Sequence, residues 1–160
     1  MKPMHEAYIG IGANLGQAEQ NVNTAIERLK HLPNSRLIAQ SGLFRSAPQD
    51  ADGDDYINAV VQLHTTLSAS ELLAELQSIE IAFGRTRPYW HAPRTMDLDI
   101  LLHGQQQINS ATLTIPHPHM TQRAFVLLPL LQINPEISIP GLGQAQDFLP
   151  NVAKQSIHAL

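Results

Sequence analysis

Tyr56-Ile-Asn-Ala-Val-Val-Gln-Leu-His-Thr65 decides the fold. Ile57, Ala59, Val61 and Leu63 alternate with Tyr56, Asn58, Gln62 and His64, so a strand here is apolar on one face and polar on the other. Residues 5–14 repeat the pattern, with Ala7, Ile9, Ile11 and Ala13 against Tyr8, Gly10, Gly12 and Asn14. Residues 97–102 repeat it again, with Leu98, Ile100 and Leu102 against Asp97 and Asp99, and residues 37–45 read as a further strand. Between these lie two helical patterns. Residues 19–30 space Val22, Ile26 and Leu29 on one face and stop at Pro33-Asn34. Ser68 and Glu71 form a capping box that opens a helix through Phe83, with Leu72, Leu73, Leu76, Ile79 and Phe83 as its stripe.

The order is β-α-β-β-α-β, which defines an α+β, ferredoxin-like core: an antiparallel sheet with helices on one face. The other face, rich in Tyr, Asn, Gln, Gly and Asp, reads as too polar to pack on a second core and is where a site is expected. Downstream, residues 116–123 read as a loop, 124–132 as a short helix and 135–160 as mostly irregular.

Composition bounds the function. A chain of 160 residues with 43% apolar and 15% charged residues is expected to form one globular domain over residues 1–160. Ten Lys and Arg against fourteen Asp and Glu give −4, which argues against sequence-independent nucleic-acid binding. Absence of cysteine excludes disulfides, thiolate catalysis and Cys-based metal sites. No run approaches the ~20 apolar residues of a membrane-spanning helix, and the start lacks a signal peptide's apolar stretch, so a cytoplasmic protein with no membrane partner is expected.

Asp97-Leu98-Asp99 is the sharpest chemical feature. Residues i and i+2 of a strand project on one face, roughly 6.6–7 Å apart, which lets two carboxylates hold a pair of divalent cations. Oxygen ligands favour Mg²⁺, which completes its shell with water and substrate phosphate. Solvated surface acids are the plainer alternative, but acids among Leu98, Ile100, Leu101 and Leu102 are costly without a partner. Arg85, Arg87 and Arg94 precede the acids in one segment, and arginine forks match phosphate oxygens bidentately. Such a set resembles a polyphosphate clamp. His117-Pro118-His119, with Arg123 and Phe125 after it, either touches phosphates or, with the aspartates, binds a transition metal. Tyr56 and Asn58 set a ring beside an amide, which suits a flat heterocycle. The phosphate-loop motif Gly-x-x-x-x-Gly-Lys-Ser/Thr is missing, and Gly10-Ile-Gly-Ala-Asn-Leu-Gly16 misses the dinucleotide fingerprint by one residue.

Taken together, Tyr8-Ile-Gly-Ile-Gly-Ala-Asn-Leu-Gly16, Asp55-Tyr-Ile-Asn58, Gln77-x-x-Glu80, Gly84-Arg-Thr-Arg87, Pro93-Arg-Thr-Met-Asp-Leu-Asp-Ile100, Ile115-Pro-His117 and Arg123-Ala-Phe125-Val resemble the 6-hydroxymethyl-7,8-dihydropterin pyrophosphokinase family. The resemblance runs in register from Tyr8 to about Gly141. It implies a ferredoxin-like fold and pyrophosphate transfer from ATP to a pterin alcohol with release of AMP, by in-line attack on the β-phosphorus. It also implies a monomer acting on small-molecule substrates. Carried over by position, Asp97 and Asp99 match the ligands of two Mg²⁺ ions, and Arg85 and Arg94 the catalytic arginines. Gln77, Arg87, Ile100, Thr114, His117 and Arg123 match ATP contacts. Ser46, Pro48, Tyr56, Asn58, Trp90 and Phe125 match pterin contacts, and Glu80 an acid near the same centre.

The segment Trp90-His-Ala-Pro-Arg94 departs from the family's basic-Trp-Gly-Pro-Arg and is one residue shorter. Pro118 stands where an aromatic is common, Thr112 where an arginine is frequent, and Ala47 and Gln49 alter a Pro-Pro-Leu turn. Two rivals keep the same residues: a ligand-sensing module that binds without turnover, and a metal-dependent phosphohydrolase that uses water as nucleophile.

Overall fold

The computed structural model describes residues 2–14, 17–47, 55–83 and 96–160. Its elements are β1 (His5–Ala13), α1 (Ala18–Lys30), β2 (Ser35–Gln40), β3 (Phe44–Ser46), β4 (Tyr56–Thr65), α2 (Ala69–Ala82), β5 (Asp97–His103), β6 (Ile108–Asn109), β7 (Thr114–Ile115), α3 (Ala124–Ile133), β8 (Ser138–Ile139), β9 (Gly143–Gln144) and β10 (Ile157–Ala159). Short 3₁₀ turns cover Met120–Gln122 and Ala145–Val152.

In the main sheet β4 has β1 on one side and both β2 and β3 on the other, and β1 pairs onward with β5; every pairing is antiparallel. This is the ferredoxin-like order, with the second strand in two pieces. The single strand expected over residues 37–45 is interrupted at Ser41-Gly42-Leu43. Ser41 bridges the break: its N–H donates to the Val60 carbonyl and its hydroxyl accepts the Val60 N–H, each at 2.9 Å. The hydroxyl thus replaces a backbone acceptor while the chain steps aside. The tail is more ordered than expected, because β10 adds to the free edge of β3.

On the first face the periodicity holds. Val22, Ala25, Ile26 and Leu29 of α1 and Leu72, Leu76 and Ile79 of α2 pack on Ala7, Ile9, Ile11, Ile57, Ala59, Val61, Leu63, Leu98 and Ile100. Each such aliphatic burial is worth roughly 1.5–3 kcal/mol, enough to fix both helices on the sheet. The capping box starts α2 as expected: the Ser68 hydroxyl accepts the Glu71 N–H at 3.1 Å, and the Glu71 carboxylate accepts the Ser68 N–H at 2.8 Å. That backbone bond, first among its neighbours, holds the Glu71 carboxyl below its usual range.

The second face corrects the sequence reading. Tyr8, Val60, Leu101 and Leu102 form a second core with Met120, Leu127 and Leu130 of the α3 region and with Ile137, Ile139, Ala145 and Val152 of the tail. Two features hid it. Val60 and Leu101 interrupt an otherwise polar alternation, and a β-bulge breaks the β1–β5 register: Tyr8 opposes Leu102 while Ile9 opposes Ile100. Leu101 is the extra residue, so Leu102 turns to the side of Tyr8 rather than joining Leu98 and Ile100. Tyr8 itself is buried, its hydroxyl donating to Glu6 at 3.1 Å.

Candidate active site

The second core stops partway along the sheet. At Gly10 the Leu101 side chain lies close enough that a Cβ would meet its Cδ2 at 3.4 Å. One pair further, Asp97, Gly12 and Asn58 stand side by side across β5, β1 and β4. Gly12 matters here because a Cβ would come 3.3 Å from Asn58 Oδ1, a tight approach. The Asn58 amide is buried and aimed at β3, where Nδ2 donates to Ser46 Oγ at 2.7 Å. Tyr56, half-buried, opposes Ser46 in the same register.

Asp97 and Asp99 alternate on β5 with buried Leu98 between them. Glu80, also buried, reaches in from α2 and its Oε2 accepts the Leu98 N–H at 2.8 Å. The helix that covers the first face therefore fixes the peptide between the two acids. Gln77 lies one turn earlier on α2 and is exposed. Ile100 is buried in the first core, so only its backbone can face a ligand.

His117 is brought to the acids by the bulge. Its N–H donates to the carbonyl of Leu101 at 3.0 Å, just after a cis Ile115–Pro116 bond. Nδ1 accepts the His119 N–H at 3.1 Å, which leaves the ring proton on Nε2, 3.9 Å from Asp99 Oδ2. That separation is too long for a hydrogen bond. Burial, then Arg123 and His119, push the imidazole down to about 4, against the pull of Asp97. The pair is a neutral donor beside a carboxylate rather than an ion pair. His119 stacks edge-on at 6.0 Å, and among the described residues no three His, Cys, Asp or Glu side chains gather as a metal cage. Two carboxylates on one face of a strand are the kind of oxygen ligands that suit Mg²⁺.

Arg123 stands at the N-cap position of α3 in an extended conformation without a side-chain cap bond, its guanidinium 5.4 Å above the Phe125 ring. Phe125 and Ser46 border one cavity of about 150 Å³. Thr114 lies half-buried on β7, opposite Asn109. The structure thus sets His117 near Asp99 and ties Glu80 to the peptide between the two acids, with Ser46, Tyr56 and Asn58 across the sheet and Phe125 bordering a cavity with Ser46. Pro48, Arg85, Arg87, Trp90 and Arg94 lie outside the described residues. The sequence reading gave Gly12 no role of its own beyond its place in the polar stripe and in the Tyr8–Gly16 segment, and it missed Leu101, whose bulge has no local signature.

These features define an α+β fold that carries paired acids on one edge strand of the sheet, with a buried amide across from them. Residues 8–135 match the model of the 7,8-dihydro-6-hydroxymethylpterin-pyrophosphokinase (HPPK) family, and the chain belongs to that family. It is 40% identical over 138 residues to the 2-amino-4-hydroxy-6-hydroxymethyldihydropteridine pyrophosphokinase of Pseudomonas aeruginosa, covering 86% of this chain and 85% of the relative. The Haemophilus influenzae protein of the same name is 41% identical over 138 residues, with 86% of each chain covered. A crystal structure of Plasmodium falciparum HPPK-DHPS A437G with SDX-DHP superposes at TM-score 0.76 with 13% identity, which speaks for the fold. It covers 96% of this chain, which spans less than half, 47%, of that longer one. The protein is therefore a transferase whose family carries out pyrophosphoryl transfer in folate biosynthesis. No helix among the described residues is long and apolar enough to cross a membrane.

Proposed function

We propose that the chain, working as one domain over residues 1–160, transfers pyrophosphate from ATP to the hydroxymethyl oxygen of 6-hydroxymethyl-7,8-dihydropterin. The observation that carries this reading is the row Asp97, Gly12, Asn58, which sets the first of the two acids one strand away from the Asn58 amide. The pterin oxygen forms a bond to the β-phosphorus, the bond from that phosphorus to the oxygen bridging to the α-phosphate breaks, and AMP leaves. The hydroxyl proton passes to solvent.

Asp97 and Asp99 would hold Mg²⁺, two ions in the full complex, which when bound neutralises the charge of the phosphates. Around them His117 donates from Nε2–H to a phosphate oxygen. Arg123, Arg87, Gln77, Thr114 and the backbone of Ile100 seat the nucleotide. Arg85 and Arg94 counter the charge that develops on the transferred group. Tyr56 and Phe125 flank the bicycle, Asn58 and Ser46 bond its edge, and Pro48 and Trp90 complete the pocket. Glu80 acts through Leu98, holding the strand that carries both acids. The protein acts as a cytoplasmic monomer on small molecules, without nucleic-acid or membrane partners.

Separation of nucleotides after incubation with ATP, Mg²⁺ and the pterin alcohol tests the reading. AMP and a pterin diphosphate, formed only when the pterin is present, are expected. ADP or free phosphate formed without pterin would instead make it a phosphohydrolase.

A further inference from the structure

The residues matched by the family end at 135, yet the site is tied together by the tail. Gln155 Oε1 accepts the Ala124 N–H at 2.9 Å, and its Nε2 donates to the Gln122 carbonyl at 2.7 Å. Those two peptide groups bracket Arg123, at the joint where the Met120–Gln122 turn becomes α3. Ala124 N–H is one of the first-turn donors that the helix itself cannot satisfy, and no side chain of Arg123 caps it. Two residues later the same segment enters β10, where Ile157 opposes Ser46 and the Ser156 carbonyl accepts the Ala47 N–H at 3.4 Å. The cavity between Ser46 and Phe125 has Gln155, Ser156 and Ile157 as its third wall.

We propose that Gln155 is a positioning residue, whose amide ties the Arg123–Phe125 wall of the site to the Ser46–Asn58 wall through the tail strand. This rests on the reading of Phe125 and Asn58 as pterin contacts. One segment of three residues sets the spacing of the two walls, because each wall is bonded to it and the cavity between them leaves room to drift. Loss of the amide lets the Arg123 joint relax, which moves the Phe125 ring and the guanidinium above it together.

Steady-state kinetics and pterin binding of the full chain test this with Gln155→Met, which keeps length but loses both bonds, and Gln155→Glu, which keeps the acceptor for Ala124. Gln155→Met is expected to raise KM for the pterin roughly tenfold, and KM for ATP to a smaller extent through Arg123, with kcat within about twofold; Gln155→Glu should raise the pterin KM only roughly threefold, as one modest hydrogen bond would. A merely structural role would lower melting temperature and active fraction, hence kcat, while leaving KM as it was; that pattern, or no change in either KM, overturns the proposal. If Gln155→Met does not fold, the threefold shift of Gln155→Glu decides. If the native chain binds the pterin without making AMP, the reaction assignment fails, and Gln155 is judged by the dissociation constant alone, with the same ratios. If it binds no pterin, both fail.

Discussion

The two faces of the sheet are built from the same strands and read very differently. On the helix-covered face the apolar residues from Ala7 to Ile100 form one core with α1 and α2. The opposite face changes character along the strands: Tyr8, Val60 and Leu101 join α3 and the tail in the second core, whereas Gly12, Asn58, Asp97 and Asp99 lie outside that cluster. That cluster ends where the strand residues become polar, because a carboxylate or amide is costly to bury among apolar side chains, and Asn58, itself buried, takes Ser46 as its partner. A uniform face makes stability; a graded face keeps polar side chains where a site can form.

The sharpest way to break the comparison is to remove function from the graded face without touching the other. Asp97→Ala or Asp99→Ala should lower kcat by about 10²–10³-fold or more at saturating Mg²⁺, with little change in melting temperature. Unchanged AMP formation would make the acids mere surface charge. The opposite change, Leu76→Ala on the fully buried stripe of α2, should cost about 2–5 kcal/mol in denaturant unfolding and leave activity per folded molecule intact.

A third test uses protons. His117 titrates near 4 in the fold, below its ordinary 6.5, so the native state favours the neutral ring. The unfolded chain binds the extra proton first, and this contribution is complete above pH 6.5 and is lost as pH falls toward 4. Without nucleotide or divalent cation, the native chain should lose on the order of 3 kcal/mol more over that window than His117→Gln. Parallel curves would contradict the placement of the ring. The smallest effect is expected of Gly12→Ala. Its methyl presses on the Asn58 amide, costing about 1 kcal/mol and raising the pterin KM a few fold.

How much of this was legible follows from the same contrast. Strand alternation, helical spacing and the capping box placed β1, β4, β5, α1 and α2, because each signal is local. Local signals failed where tertiary contacts decide. Ser41 replaces a strand residue with its hydroxyl, Leu101 bulges, and the tail from Ser138 onward takes its form from what it packs on. The acids, His117, Tyr56 and Asn58 stood out as candidates because such side chains are unusual beside apolar strand residues, and the structure sets His117 near Asp99 and Asn58 against Ser46. Gln155 did not, since an amide in a polar tail looks like any other until its two partners are seen.

The fate of the β-phosphate tests the central claim most directly. ATP labelled at the β-phosphorus is incubated with the protein, Mg²⁺ and the pterin alcohol, and the products are separated. The label is expected wholly in a pterin diphosphate, with one AMP released for each labelled product. Label in ADP, or in inorganic phosphate or pyrophosphate at a rate indifferent to the pterin, would contradict it.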